Sequence, residues 1–113
     1  MENYRVQLED WQGPLDLLLQ LIESQQMDIT KVSLSKVADQ FIAYMNLKPV
    51  QLEETADFLV IAAKLIYIKS KALLPTLSLE DEEGIDLEKQ LKMYKEYLEA
   101  AKKIQLILKK KKV

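Results

Sequence analysis

Apolar and polar positions along this chain keep the three-to-four-residue spacing of helices almost throughout. The exception is the start, where Tyr4, Val6 and Leu8 alternate with polar residues and predict a short extended segment, an edge strand without a sheet. In the run QGPLDLLLQLIESQQ, Gly13 stands ahead of a helix and Pro14 suits its first turn, where no amide donor is needed. Leu15, Leu18, Leu19 and Ile22 line one face, widened by Leu17 and Leu21. After the short connection MDITKV, which should hold a helical turn, a second helix is predicted from an N-cap at Ser33. Leu34, Val37, Ala38, Phe41, Ile42 and Met45 share its face, and Asn46 and Pro49 end it. These two helices look like half of a helix-turn-helix, a geometry that serves packing as well as DNA. A third helix should run from about Leu52 to Leu74 and stop at Pro75.

The third helix is unusual. In FLVIAAKLIYIKSKALLP, Phe58 to Pro75, apolar residues fall on nearly every side. They sort into two seven-residue rows about 150° apart on the helix. One holds Leu52, Ala56, Leu59, Ala63, Ile66, Ser70 and Leu73; the other holds Phe58, Ile61, Leu65, Ile68 and Ala72. Glu53, Asp57, Lys64 and Lys71 form a narrow polar stripe between them. The bulky second row suits a domain's own core, whereas Ala56, Ala63 and Ser70 let another helix come close. Burying a Leu or Ile contributes about 1.5–3 kcal/mol, so a whole row left wet would forgo roughly 5–10 kcal/mol. Something should cover it: either the fourth helix, in an ordinary bundle, or another protein.

The acidic stretch TLSLEDEEGID reads as an exposed linker, and a fourth helix is expected from about Asp86 into the terminal lysines. Leu87, Leu91, Tyr94, Leu98 and Ala101 make one heptad-like row on it, and Met93, Tyr97, Ala100, Ile104 and Ile107 a second. The domain division that follows is a helical unit over 1–79, an acidic linker over 80–86 and a carboxy-terminal helix over 87–113. No internal repeat is visible.

Composition narrows the function classes. With two glycines and three prolines, the 113 residues are poor material for a turn-rich sandwich or barrel, and the fold class is all-α. The absence of cysteine and histidine removes thiolate chemistry, the commonest general base and the usual zinc ligands. A net charge of −2 gives no whole-domain pull toward nucleic acid or anionic lipid. Lys64, Lys69 and Lys71 break the greasy stretch below the length of a membrane span, and the first residues lack the pattern of a secretory signal. Glu53, Glu54 and Asp57 read as acids favoured at a helix start. Glu80 to Asp86 lacks the spacing of a calcium loop, and no glycine-rich phosphate loop exists. Lys109 to Lys112 reads as a solvated helix end. The expectation is a chain that is not an enzyme and uses no cofactor or metal.

Three runs carry a resemblance: GPLDLLL at Gly13–Leu19, MDI at Met27–Ile29, and IKSKALLP ending at Pro75. In their order and separation they resemble the amino-terminal region of segregation and condensation protein A, the bacterial kleisin of the condensin-type chromosome complex. The resemblance extends over roughly Tyr4 to Ile104 and is weakest in the last helix. It implies a helical domain that binds the neck of an SMC (structural maintenance of chromosomes) protein, the coiled coil above the ATPase head. The small-residue row would then meet the neck, with Ala56, Leu59, Ala63, Ile66, Tyr67 and Ser70 as the partner-binding residues. The resemblance further implies a dimer of segregation and condensation protein B as second partner, bound at or beyond the carboxy-terminal helix. DNA would be touched only through the complex, no membrane would be involved, and the place of work would be the cytoplasm at the nucleoid. Family members continue into a winged-helix domain, so the chain is expected to be a fragment or a truncated relative. The competing readings are a small helix-turn-helix DNA-binding regulator and a self-associating helical bundle.

Overall fold

The computed structural model describes residues 10–47, 52–74 and 82–111, with the backbone alone for 52–54 and 83. Four helices follow in order: α1, Pro14–Ser24; α2, Lys31–Met45; α3, Leu52–Leu73; and α4, Glu82–Lys111. There is no strand among the described residues, and the all-α expectation holds. The extended segment expected around Tyr4 to Leu8, and the stops at Pro49 and Pro75, lie outside the described residues.

α1 starts as its sequence dictates. Pro14 takes the first helical position, and Gly13 ahead of it has φ 136°, a value that favours glycine. Its other end is closed by backbone bonds, with the Ser24 hydroxyl also donating to the Leu21 carbonyl at 2.9 Å. Gln26 adopts φ 56°, the only positive φ at a non-glycine residue among those described. The Gln26 amide donates to the Glu23 carbonyl (3.0 Å) and the Met27 amide to the Ile22 carbonyl (3.2 Å). That pair of bonds is a Schellman cap, and Met27 packs against the core beside Ile22 as such caps require.

The cap of α2 differs from the expectation. Thr30, not Ser33, is the N-cap: its hydroxyl accepts the Ser33 amide at 3.1 Å, and the helix begins at Lys31. Ser33 is instead buried inside the first turn, where its hydroxyl donates to the Asp28 carbonyl. It is the one buried polar side chain among the described residues, and it is satisfied.

Leu17, Leu18, Leu21 and Ile22 of α1 sit fully buried between α2 and the later helices. α2 contributes Leu34, Val37, Ala38 and Phe41; α3 contributes Phe58, Ile61, Ala62, Leu65 and Ile68; α4 adds Leu87 and Leu91. The most extensive interface joins α2 to α3. Phe41 and Phe58 meet there with ring centroids 6.1 Å apart, and Lys69 bonds Asp39 at 2.6 Å on its rim. Because both partners of that ion pair reach solvent, it is worth at most about 1 kcal/mol. Packing of the apolar faces holds the domain together.

α4 starts at Glu82, ahead of the expected boundary, so part of the acidic stretch forms its first turns rather than a linker. Acids at a helix start are favoured by the helix dipole. Only the first half of α4 rests on the domain, where Leu87 and Leu91 are buried and Tyr94 and Leu98 half-buried. From Lys102 onward every described residue is exposed. The helix overhangs, and the molecule is 60 Å in its longest dimension.

An L-residue in the left-handed region costs about 1–2 kcal/mol that glycine does not. Gln26→Gly should therefore stabilise the domain by about 1 kcal/mol, raising Tm by roughly 4–8 °C for a domain near this size. Thermal unfolding followed by circular dichroism checks this; an unchanged or lower Tm would show that the cap is not strained.

Candidate protein-interaction surface

α3 packs with one side only. Its bulky row is sunk in the core: Phe58, Ile61, Leu65 and Ile68 are each 6 % exposed or less. The opposite side meets no other helix. Ala56, Ala63 and Ser70 are exposed there, one at every second turn. On one side of this small-residue floor stand Leu59, Ile66 and Leu73, and on the other Val60, Tyr67 and Leu74. Five of those six flanking residues are more than half exposed, and Tyr67 is half-buried.

The face is therefore a shallow trough with a floor of small side chains and two apolar ridges, each repeating every seven residues. Such a repeat matches the seam that a supercoiled helix presents. A contiguous apolar surface of this kind on a domain otherwise rich in charge is a candidate interaction site. All six sequence-predicted residues, Ala56, Leu59, Ala63, Ile66, Tyr67 and Ser70, lie on this one side. Val60 and Leu74 were missed, although their seven-residue spacing from Tyr67 was available in the sequence.

The fourth helix does not cover the trough. α4 runs along the flank of α3 that carries the polar stripe: Gln90 and Tyr94 of α4 share an open cleft with Asp57, Val60, Ile61 and Lys64 of α3. The cleft has a volume of about 370 Å³ and is closed at one end by residues 12–16. At that end Asp16 gathers donors from several segments. Its carboxylate accepts the Gln12 amide at 3.0 Å and the Gln20 side-chain amide at 3.3 Å. The Tyr94 hydroxyl is its third partner. Burial pushes the pKa of that hydroxyl up, and the Asp16 charge and hydrogen bond push it the same way. Tyr94 thus stays a neutral donor through the physiological range and ties α4 to the start of α1.

No three acidic side chains gather as a metal site among the described residues, and no described helix is long and apolar enough to cross a membrane. What the α3 surface offers is shape and exposed apolar area.

Residues 21–110 match the family described as segregation and condensation protein ScpA. Among similar curated proteins is the segregation and condensation protein A of Clostridium botulinum strain Alaska E43. It is 46% identical over 107 residues, which cover 89% of this chain and 43% of that protein. The namesake from Exiguobacterium sibiricum is 39% identical over 121 aligned residues, covering 98% of this chain and 47% of its own length. At that coverage the alignment must include the Gly13–Leu19 run at the start of α1. A third, from Clostridium botulinum strain Eklund 17B, is 46% identical over 93 residues, 80% of this chain and 37% of the relative. The chain thus spans less than half the length of these relatives. Within that span the match takes in all of α2 and α3, and with them the trough: this chain belongs to the segregation and condensation protein A family.

Proposed function

We propose that this chain is the docking domain of a kleisin in a bacterial chromosome segregation and condensation complex, and that the trough of α3 receives the coiled-coil neck of an SMC ATPase. The observation that carries the reading is the division of labour on α3. Its bulky row is spent on the domain's own core, while the small-residue floor and both ridges stay uncovered. Family membership supplies the kind of partner, since the resemblance implies a neck, and a neck is a heptad-bearing helix pair. Docking there adds one helix to two and buries Leu59, Val60, Ile66 and Leu73 at about 1.5–3 kcal/mol each if burial is complete. ATP hydrolysis and most DNA contact belong to the partner, and the chain itself is not an enzyme. A dimer of segregation and condensation protein B is the second partner, at or beyond α4, and the assembly works in the cytoplasm at the nucleoid.

The regulator reading finds less support. The solvent side of α2 carries Lys31 and Lys36 but also Asp39, too little positive charge for a helix that enters a DNA groove. No sequence-selective duplex binding is expected at physiological salt. A fluorescence titration that returned submicromolar, sequence-selective affinity would move the function to DNA recognition.

Ala63 sits mid-floor, where a partner helix at about 8–10 Å between axes leaves no room for a long side chain. Ala63→Glu would also bury an unpaired charge at a cost of several kcal/mol. Neck binding should weaken at least ~100-fold, since each 1.4 kcal/mol is tenfold. In the free domain the new carboxylate stays hydrated, so helicity should survive. Phe58→Ala, on the core side, should instead destabilise the fold by about 3–5 kcal/mol. Calorimetric titration with an SMC head-and-neck fragment, alongside thermal melts, tests both. Normal binding by Ala63→Glu together with lost binding by a stable Phe58→Ala would mean the faces are reversed.

A further inference from the structure

The two flanks of the α3 trough differ in a way its apolar residues do not reveal. One position after each floor residue comes a charge: Asp57 after Ala56, Lys64 after Ala63 and Lys71 after Ser70. At 3.6 residues per turn these lie about 100° round the helix from the floor, just outside the ridge of Val60, Tyr67 and Leu74. On the opposite flank, one position before each floor residue, stand Thr55, Ala62 and Lys69. Ala62 is buried against the core, and Lys69 is already bonded to Asp39 at 2.6 Å. The charge that α3 turns toward a docked helix thus sits on one flank, and its sign changes along that flank from acid at Asp57 to base at Lys64.

That flank also has depth. Asp57, Val60 and Lys64 line the open cleft of about 370 Å³ beside the trough, and Val60 forms the crest between the two. Leu15 and Ile61 give the cleft apolar walls. A helix seated in the trough rests its flanking side chains against the Val60 crest, and a long one passes over it into the cleft. α4 is only the far wall here and gains no partner of its own.

We propose that this flank reads the charge of the docked neck. A lysine or arginine of the neck crosses Val60 into the cleft and pairs with Asp57, and an acidic residue seven positions away on the same neck helix pairs with Lys64. The inference rests on the neck docking proposed above and adds what sets its register. Shape alone leaves the register open, because the floor and both ridges repeat every seven residues and a neck shifted by one heptad meets the same apolar surface. Charge closes it. A shift one way sets the neck's base against Lys64, and a shift the other way sets its acid against Asp57. Charged residues beside a heptad seam select partner and orientation in this manner.

The cleft decides which sign enters. Asp16 and Asp57 outnumber Lys64 on its walls, and Asp16 is already engaged by Gln12, Gln20 and Tyr94. Asp57 is exposed at the edge and is left to meet an incoming cation. Apolar walls suit the methylene stem of a lysine or arginine whose charged head must reach a carboxylate. Asp57 and Lys64 are about 10 Å apart along the axis, the spacing of successive heptad positions on a neck helix.

Binding to an SMC head-and-neck fragment, measured by calorimetric titration and stopped-flow mixing at low and at physiological salt, tests this. Asp57→Lys and Lys64→Glu change the net charge in opposite directions, yet each should raise Kd ~10-fold, chiefly through slower association, with a loss that shrinks as salt rises. The double variant keeps the net charge at −2 and should bind most weakly. Thermal melts should match the unaltered chain, since neither side chain belongs to the buried core. Should a reversal lower Tm, Asp57→Asn and Lys64→Gln keep the test open: each should flatten the salt dependence of binding. If one reversal tightens binding while the other weakens it, the partner face carries a single sign of charge and the proposal falls. Unaltered affinity and salt dependence in both reversals, with binding lost in Ala63→Glu, would leave the trough as the docking site and remove the charge reading alone. Normal binding by Ala63→Glu would overturn the docking itself, and this inference with it.

Discussion

The contact on which the rest depends is the burial of one side of α3 against α2, with the Phe58 and Phe41 rings tilted against each other and Leu65 and Ile68 buried in the same core. A 22-residue helix that is apolar on two sides has two ways to sit, and only one can face inward. Bulk decides. Phenylalanine, isoleucine and leucine fill the space above α1 and α2, whereas alanine and serine in their place would leave cavities costing several kcal/mol. Once the large side chains are inside, the small ones must be outside, and the domain presents a trough. The outer surface of α3 is thus a consequence of how its inner surface packs.

Much of this was legible in the sequence. The two rows of α3, the polar stripe between them and the choice of which row faces the core all follow from spacing and side-chain volume. The Gly13–Pro14 start of α1 could likewise be read directly, because those residues restrict the backbone whatever surrounds them. Other features could not. Thr30 and Ser33 are both competent caps; Ser33 is used differently because its hydroxyl meets the Asp28 carbonyl, a contact created by the turn after α1. The start of α4 was misplaced because a run of acids with a glycine reads as linker, although the same acids suit a helix's first turns. The flank on which α4 lies was hidden as well, since both of its rows are apolar enough to pack and periodicity does not rank them.

Interfaces here divide by chemistry as well as by place. Within the domain the ion pairs are peripheral: Asp39–Lys69 and Glu23–Lys95 both join helices at their solvent rims. Exposed pairs of this kind contribute little to stability. The polar contact with more leverage is the shared one at Asp16, where a single carboxylate holds the approach to α1, α1 itself and α4. A leucine or alanine at that position would keep the helix and lose the junction.

That junction bears on time as well as on shape. α4 is one continuous helix, but its free energy of opening is not uniform along its length. Amides near Leu87 and Leu91 are shielded by the core and by the Tyr94–Asp16 tie, so their exchange with solvent demands that the domain come apart. Amides beyond Lys102 are held by helical hydrogen bonds alone and need only fraying from the end. A partner that grips the distal half therefore meets a segment free to unwind and re-form within microseconds or less. The proximal half will hold it at a fixed bearing for as long as the domain stays folded.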